Sequence, residues 1–318
     1  MALKNQANLD TARTVAQEKF DEVFNTIAAG QSSLFTDTYS TGSETDELVF
    51  VTFLNTVREW LGAKEYGNFE AFKQSISLTT YEDSFGLSRR LVDYDSSGAA
   101  TGRAIQQKIV SARQNSDDKL VFDSLVSNSG GGPTGFDGVS LINDSHSLGG
   151  STYDNKTTSA LSVSTFNDAI VAMQGFKAAN GEPLNIFPTT LVVGPKLRKL
   201  AFDIAQNAER VAAVDASGDE GGTSIAAATI PNVFRGDNID VIVSPRLTGT
   251  YDDYWYLMDL SKTDKPMLMK SEREWELIDK TDMRDDDRFN KDMYVWSIEA
   301  DKKVAAGVWP LIYGGIVA

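Results

Sequence analysis

Residues 56–98 read TVREWLGAKEYGNFEAFKQSISLTTYEDSFGLSRRLVDYDSSG, and residues 99–128 continue as AATGRAIQQKIVSARQNSDDKLVFDSLVSN. The first stretch sets apolar side chains at Phe72, Ile76 and Leu78 with polar ones between, the alternation of a strand with one dressed face. Gly62, Gly67 and Gly86 mark turns or bends in it. A long polar-faced hairpin with so little core of its own is marginal in isolation. Its length therefore predicts a surface to lie on, in a neighbouring molecule or in its own domain. In the second stretch Ala104, Ile105, Ile109, Ala112, Leu120, Phe122 and Leu125 follow helical spacing, with a polar break near Asn115 to Asp118. An extended hairpin that feeds a long helix is the pairing that decides the fold.

The helix stops at SGGGPTG, residues 129–135, which reads as a flexible connector. It is no phosphate loop, since no Gly-Lys-Ser/Thr follows and no strand precedes. Upstream, Leu9, Val15, Phe20, Val23, Phe24 and Ile27 carry helical spacing that ends at Gly30. Polar QSSLFTDTYSTGSETD then leads into DELVFVTFL, which reads as a strand. Downstream, a polar segment at 143–163 precedes a compact α/β portion. Ser164 is placed to cap a helix whose Phe166, Ile170, Met173 and Phe176 share one face, and Asn180-Gly181 ends it. TLVVG is a short buried strand, and Pro195 opens a further helix through Leu197, Leu200, Ala201, Ile204 and Ala208. DASGDEGGTSIAAAT is loop-like, whereas IDVIVSP and DDYWYLMDL supply strands. The tail, PMLMKSEREWELIDK and then DMYVWSIEADKKVAAGVWPLIYGG, reads as aromatic-rich antiparallel sheet.

The chain has 318 residues, enough for one large domain or two of about 150 residues each. It has no apolar run of the roughly 18 residues that a membrane helix needs, and no apolar core behind the first lysine to make a secretory signal. The absence of cysteine excludes disulfides, thiolate metal sites and a Cys nucleophile. A net charge of -15 opposes any grip on nucleic acid through its phosphates.

Four places invite a chemical reading. FDGVSLINDSHS at 136–147 holds His146, the one histidine, beside Asp144, Ser145 and Ser147. Triads are assembled from distant segments because consecutive side chains diverge, and no Gly-x-Ser-x-Gly elbow is present. His146 is therefore expected as a loop residue at or near a subunit contact, in a connector anchored by Phe136 and Ile142. The run Asp282-Met283-Arg284-Asp285-Asp286-Asp287-Arg288 lacks the glycine and terminal glutamate of a calcium loop and reads as a salt-bridged turn. Arg89-Arg90, flanked by Asp83 and Asp93, is too narrow for nucleic acid and suits an acidic neighbouring subunit. Tyr251, Tyr254, Trp255 and Tyr256 read as packed strand residues, not a stacking platform. No catalytic, cofactor-binding or metal residues are assigned.

Several segments together resemble one family. REWLG at 58–62, YEDSFGLS at 81–88, DDKLVFDSLVSN at 117–128 and FDGVSLINDSHS at 136–147 occur in the order found in the Mu-like phage major head subunit. LVVGPKLRKLA at 191–201, WYLMDLSKTDKPMLM at 255–269 and the YVWSIEA…WPLIYGG ending continue the series. The resemblance implies an α+β protein with the Hong-Kong-phage-type capsid fold of tailed phages. It would comprise an N-terminal arm, an extended β-hairpin loop, a long spine helix, a peripheral antiparallel sheet and a compact α/β axial domain.

On that basis residues 1–45 are expected as the arm, 46–97 as the hairpin region with the hairpin itself at 56–97, and 98–163 as spine helix and connector. Residues 164–260 would form the axial domain and 261–318 the peripheral sheet and C-terminal strand. The implied function is a major capsid protein that self-assembles, as pentamers and hexamers, into the icosahedral head of a tailed bacteriophage around double-stranded DNA. Any scaffolding needed would be a separate protein, since the arm begins close to Met1, and portal and decoration proteins would be further partners. DNA would be enclosed without specific binding, no membrane or cofactor would be involved, and the protein would pass from host cytoplasm to virion. Arg58, Trp60, Glu82, Asp83, Arg89 and Arg90 are the expected subunit-interface residues. An encapsulin-like compartment of the same fold, another phage structural protein such as a tail or decoration component, and a soluble hydrolase using His146 are the alternatives.

Overall fold

Two sheets organise the chain in the computed structural model, which describes residues 2–26, 30–53, 69–95, 99–114, 116–214, 226–280 and 291–317. In chain order the elements are α1 (Ala2–Thr26), β1 (Thr36–Tyr39), β2 (Thr45–Phe53), β3 (Phe69–Ser77), β4 (Thr79–Ser88), α2 (Arg89–Tyr94), α3 (Ala99–Gln114) and α4 (Asp117–Leu125). Then come β5 (His146–Leu148), β6 (Ser151–Tyr153), β7 (Lys156–Thr157), α5 (Val163–Gln174), β8 (Thr190–Val193), α6 (Arg198–Ala205), β9 (Glu209–Val214) and β10 (Ala226–Pro231). The last are β11 (Asp240–Val243), β12 (Trp255–Met258), β13 (Met267–Lys280), β14 (Met293–Ala306) and β15 (Ile312–Gly315).

The long sheet runs β1-β13-β14-β4. β13 and β14 are antiparallel strands of 14 residues each, and alternation along β14 buries Tyr294, Trp296, Ile298 and Ala300 on one face. β4 pairs with β14 from Ser88↔Met293 to Thr79↔Lys302, and β1 lies parallel to β13. Helix α1 closes the buried face. Its Leu9, Ala12, Ala16, Phe20 and Val23 recur at steps of three and four and pack with Ile105, Ile109 and Ala112 of α3 and with Phe85, Leu87 and Trp296 of the sheet. The two alanines let the helix axes approach, and Gly102 of α3 sits under Val15 with room for no more than a van der Waals contact.

The second sheet, β11-β8-β12-β15-β7, is shorter and wholly internal along β8, β12 and β15. Parallel β8 and β11 are flanked by α6, and β15 brings the end of the chain back antiparallel to β12. α5 packs Phe166, Ile170 and Met173 into the same core.

The structure departs from the sequence expectations in definite places. The hairpin is β2–β3, paired from Thr45↔Ser77 to Phe53↔Phe69, so it starts well before residue 56. Thr79–Ser88 belongs to the long sheet instead. The arm expected at 1–45 is for its first part a helix packed inside the subunit, and TDTY at 36–39, within the stretch described only as polar, is strand β1. The cap of α5 is Ser162, in a reciprocal capping box with Thr165, not Ser164; the helix ends at Gly175, before Asn180-Gly181. SGGGPTG is no flexible connector. Gly130, Gly131 and Gly132 are buried, and Gly130 has φ +89° with a Cβ there meeting Tyr254 at 2.6 Å. Only glycine fits that turn. The spine is two helices: α3 ends at Gln114 and α4 begins at Asp117, so the interruption falls inside the polar stretch expected to hold it.

Candidate assembly surfaces

The hairpin is held mainly at its base, by charge. Glu272 of β13 accepts hydrogen bonds from the Ser40 hydroxyl at 2.8 Å, the Thr41 and Gly42 amides at 2.7 Å each, and the Thr41 hydroxyl at 3.1 Å. These donors, the Thr41 amide foremost, hold its carboxyl down at about 2. Two residues away Lys270 is fully buried, donating to the Ser43 carbonyl at 2.5 Å and to Asp46 at 2.9 Å. One ammonium and one carboxylate from the long sheet thus fix the turn that launches β2.

Further out, the hairpin touches its own subunit through Phe72, 5.3 Å from Phe136, and through Gln74, whose amide donates to the Thr134 carbonyl at 2.9 Å. Between hairpin and body lies a groove of about 660 Å³ lined by Leu48, Val49, Phe72, Leu184 and Leu268 among others. Val49 is 53% exposed, an apolar side chain with no cover in the isolated subunit.

The expected interface residues divide. Arg58 and Trp60 lie outside the described residues. Glu82 and Asp83 are exposed on β4 and form no ion pair among the described residues. Glu82 stands opposite Glu299, and Arg273, the nearby cation, is already shared by Glu276, Glu299 and Asp301 at 2.7, 3.5 and 2.9 Å. Arg89 is engaged within the subunit. Its guanidinium bonds Asp93 at 2.9 Å, which raises its pKa, and reaches Asp292 at 3.5 Å. Arg90 is exposed and has no ion partner among the described residues. Asp83 is five strand residues from the end of β4 at Ser88, about 17 Å at 3.4 Å per residue, before α2 opens at Arg89, so the acidic and basic pairs do not neutralise each other.

His146 corrects the sequence reading. It lies in β5, is wholly buried, and takes as partner Asp137, at 2.5 Å from Nδ1, and not the adjacent Asp144. Its ring stacks on Trp309 with centroids 4.3 Å apart and planes 7° from parallel. Ser145 instead bonds Asn143 and Asp144. Among the described residues no serine bonds the imidazole, and the histidine is neither in a loop nor at the surface. The run 282–288 lies outside the described residues, and among the described residues no three His, Asp or Glu side chains gather to hold a metal. No described helix is long and apolar enough to cross a membrane. Sequence reading missed Lys270 and Glu272, because hydropathy places both at the surface.

No curated protein sequence matches the chain significantly. Among solved structures, a chain of the bacteriophage JBD30 procapsid is 15% identical, with 97% of this chain and 74% of that one aligned at a TM-score of 0.50. The capsid of an empty GTA particle is 12% identical over 90% of both chains, TM-score 0.51. A virus-like particle from Pyrococcus furiosus is 9% identical over 96% of this chain and 97% of that one, TM-score 0.50. At such identities these likenesses show the fold, which is that of phage capsid subunits. The family model described as phage capsid protein matches residues 71–306, well over half of the sequence, and the chain belongs to that family.

Proposed function

We propose that the chain is the major head subunit of a tailed bacteriophage of the Mu-like kind, many copies of which close as pentamers and hexamers into an icosahedral shell around double-stranded DNA. The observation that carries this is the β2–β3 hairpin: fixed at its base, holding Val49 exposed over an apolar groove, and too thin to stand alone. Such a strand pair gains a core when it lies on another copy, where obligate contacts commonly exceed about 2,000 Å². In this reading residues 1–45 are the arm, 46–97 the hairpin region, whose β4 joins the peripheral sheet, 98–163 spine and connector, 164–260 the axial domain and 261–318 the rest of the peripheral sheet and last strand.

Arg90, Glu82 and Asp83, which have no ion partner among the described residues, serve as intersubunit ion partners, together with Arg58 and Trp60 as further interface residues. Arg89 acts through Asp93 and Asp292 by shaping the start of α2. The work done is geometric, without catalysis, and His146 is a buried structural residue. The subunit as a whole carries a net charge of -15, which disfavours adhesion to phosphate, so packaged DNA is enclosed without being held. Scaffold, portal and decoration proteins are separate chains, and assembly occurs in the host cytoplasm.

Electron microscopy of the purified protein tests this. Closed shells are expected, and tubes or monomers alone overturn it. The likeness to the Pyrococcus furiosus particle supports a second reading, a compartment enclosing protein. Nuclease-protected DNA in particles from infected cells decides for the head subunit, and protein cargo without DNA decides for the compartment.

A further inference from the structure

Exposed apolar side chains gather on the α/β unit built on β8 and β11. Val171 is 60% exposed, Phe187 59% and Val233 75%. Asp168, Val171 and Gln174 stand at i, i+3 and i+6 on α5 and so share one face. Gln174 and Phe187 line one small cleft with Pro188 and Asp237. Phe234 packs edge-on against Phe166 of α5 with centroids 5.3 Å apart, which sets Val233 beside that helix. The cleft lies where β8 and β11 begin, and Asp240 is the first residue of β11. Asp168, Asp237 and Asp240 are exposed and make no ion pair among the described residues; Arg235, two residues before Asp237, is an exposed cation. This end of the unit is apolar and acidic.

The other end of the same strands is basic. β8 runs through Gly194 and Pro195 into α6, whose first turn exposes Arg198, Lys199 and Leu200. Lys196 is neutralised by Asp253 at 2.6 Å. Arg198 lies over the Phe202 ring at 5.1 Å, and neither it nor Lys199 has an ion partner among the described residues. Cations at a helix N-terminus oppose the peptide dipole, and no carboxylate in that turn offsets them. Among the described residues no carboxylate accounts for two exposed cations there. Four strand residues separate the ends, about 13 Å at 3.3 Å per residue, so the acidic and basic faces point to different neighbours.

We infer that the acidic, apolar end of one copy, centred on Phe187, Val233, Asp237 and Asp240, docks on the Arg198–Leu200 turn of the next copy. The partner is a second copy of this chain in a head-to-tail contact, which closes a ring when the rotation per copy is a whole fraction of a turn. This rests on the capsid-subunit reading and names the surfaces that build its rings. Charge supplies the pairing rule between copies and the apolar residues supply the area.

Three variants test it: Arg198→Glu with Lys199→Glu, Asp237→Lys with Asp240→Lys, and all four together. In low salt each double variant is expected to lose at least tenfold in assembled fraction by mass photometry, and the fourfold swap to recover it. An equal mixture of the two double variants has a sharper signature. Each then fits only the other, so subunits alternate, giving six-membered rings and no five-membered ones, and no closed shells. Circular dichroism confirms folding; should the swap variant misfold, the mixture decides. Double variants that assemble like the parent, or a mixture that forms no even-membered rings, overturn the inference. Failure of the parent protein to form shells refutes the capsid-subunit reading instead, so the two failures are distinct.

Discussion

Replacing Lys270 with methionine isolates what the hairpin anchor contributes. The side chain has no solvent exposure, and its ammonium meets Asp46 at 2.9 Å, the Ser43 carbonyl at 2.5 Å and Glu272 at 3.9 Å. Removing one partner of a buried ion pair costs about 3–5 kcal/mol when the survivor is left dry. Here the survivors keep some water, with side chains 16% and 13% exposed, and Glu272 retains the turn's hydroxyl and amide donors. Methionine also refills most of the volume. The loss is therefore expected at the lower bound or below it, about 2–3 kcal/mol, similar to one charge-assisted hydrogen bond. At tenfold per 1.4 kcal/mol that is about a 30- to 140-fold rise in hairpin opening. Hydrogen exchange by mass spectrometry reads it directly: peptides covering β2 and β3 lose that protection, while those covering the Trp296 stretch of β14 change far less. A double-mutant cycle with Asp46→Asn should show the two substitutions to be strongly non-additive. Hairpin exchange within threefold of the parent, or an additive cycle, would refute the anchor.

Acid should release the same hairpin. An unperturbed glutamate titrates near about 4.3, while Glu272 in the fold sits at about 2. Its contribution is thus complete above the unfolded value and disappears as pH falls towards the folded one. Exchange in β2 and β3, corrected for intrinsic rates, should accelerate between about pH 4.5 and 2 in the parent, and that pH dependence should flatten in Glu272→Gln. Gly130→Ala should destabilise by about 2–4 kcal/mol, since it adds strain at φ +89° to a contact at 2.6 Å from Tyr254. Chemical denaturation measures that cost, and a loss under about 0.5 kcal/mol would show the turn to be adaptable.

Periodicity made some elements legible and hid others. Leu9, Phe20 and Val23 announced α1, but Ala12 and Ala16, which bring it close to α3, carry almost no hydropathic signal. Alternation identified strands between 69 and 88 without saying which strand each would join. Ser77 and Thr79, two residues apart, end in different sheets. β1 was invisible because its TDTY segment buries little besides Thr36 and is held by backbone pairing to β13. His146 misled through its sequence neighbours. The turn at Gly138, with φ +82°, folds the preceding loop back so that Asp137, nine residues upstream, supplies the carboxylate. Among the candidate interface residues, exposure of Glu82, Asp83 and Arg90 followed from a polar strand segment and helix start; Arg89's main partner, Asp93, lies one helical turn on, whereas its second, Asp292, is far along the chain.

The buried lysines show how a sheet can serve as a frame. Lys270 and Lys302 lie on neighbouring strands of the long sheet, and each reaches an element from a distant part of the chain. Lys270 fixes the hairpin turn. Lys302, 2% exposed, holds Asp117 at 3.1 Å, just past the break between α3 and α4, and Glu274 at 2.8 Å; the Trp275 indole also donates to Asp117, at 2.8 Å. Apolar packing is non-directional and would tolerate a small rotation of α4 or a slip at the hairpin base. A buried ammonium between carboxylates does not, because each displacement leaves a charge dry and unpaired. Net stability from such pairs is modest, but their directional demand is large. The apolar clusters therefore supply most of the folding energy, while the lysines set the angles at which hairpin and helix leave the sheet. For a subunit whose purpose is to meet copies of itself, those angles decide whether the contacts close.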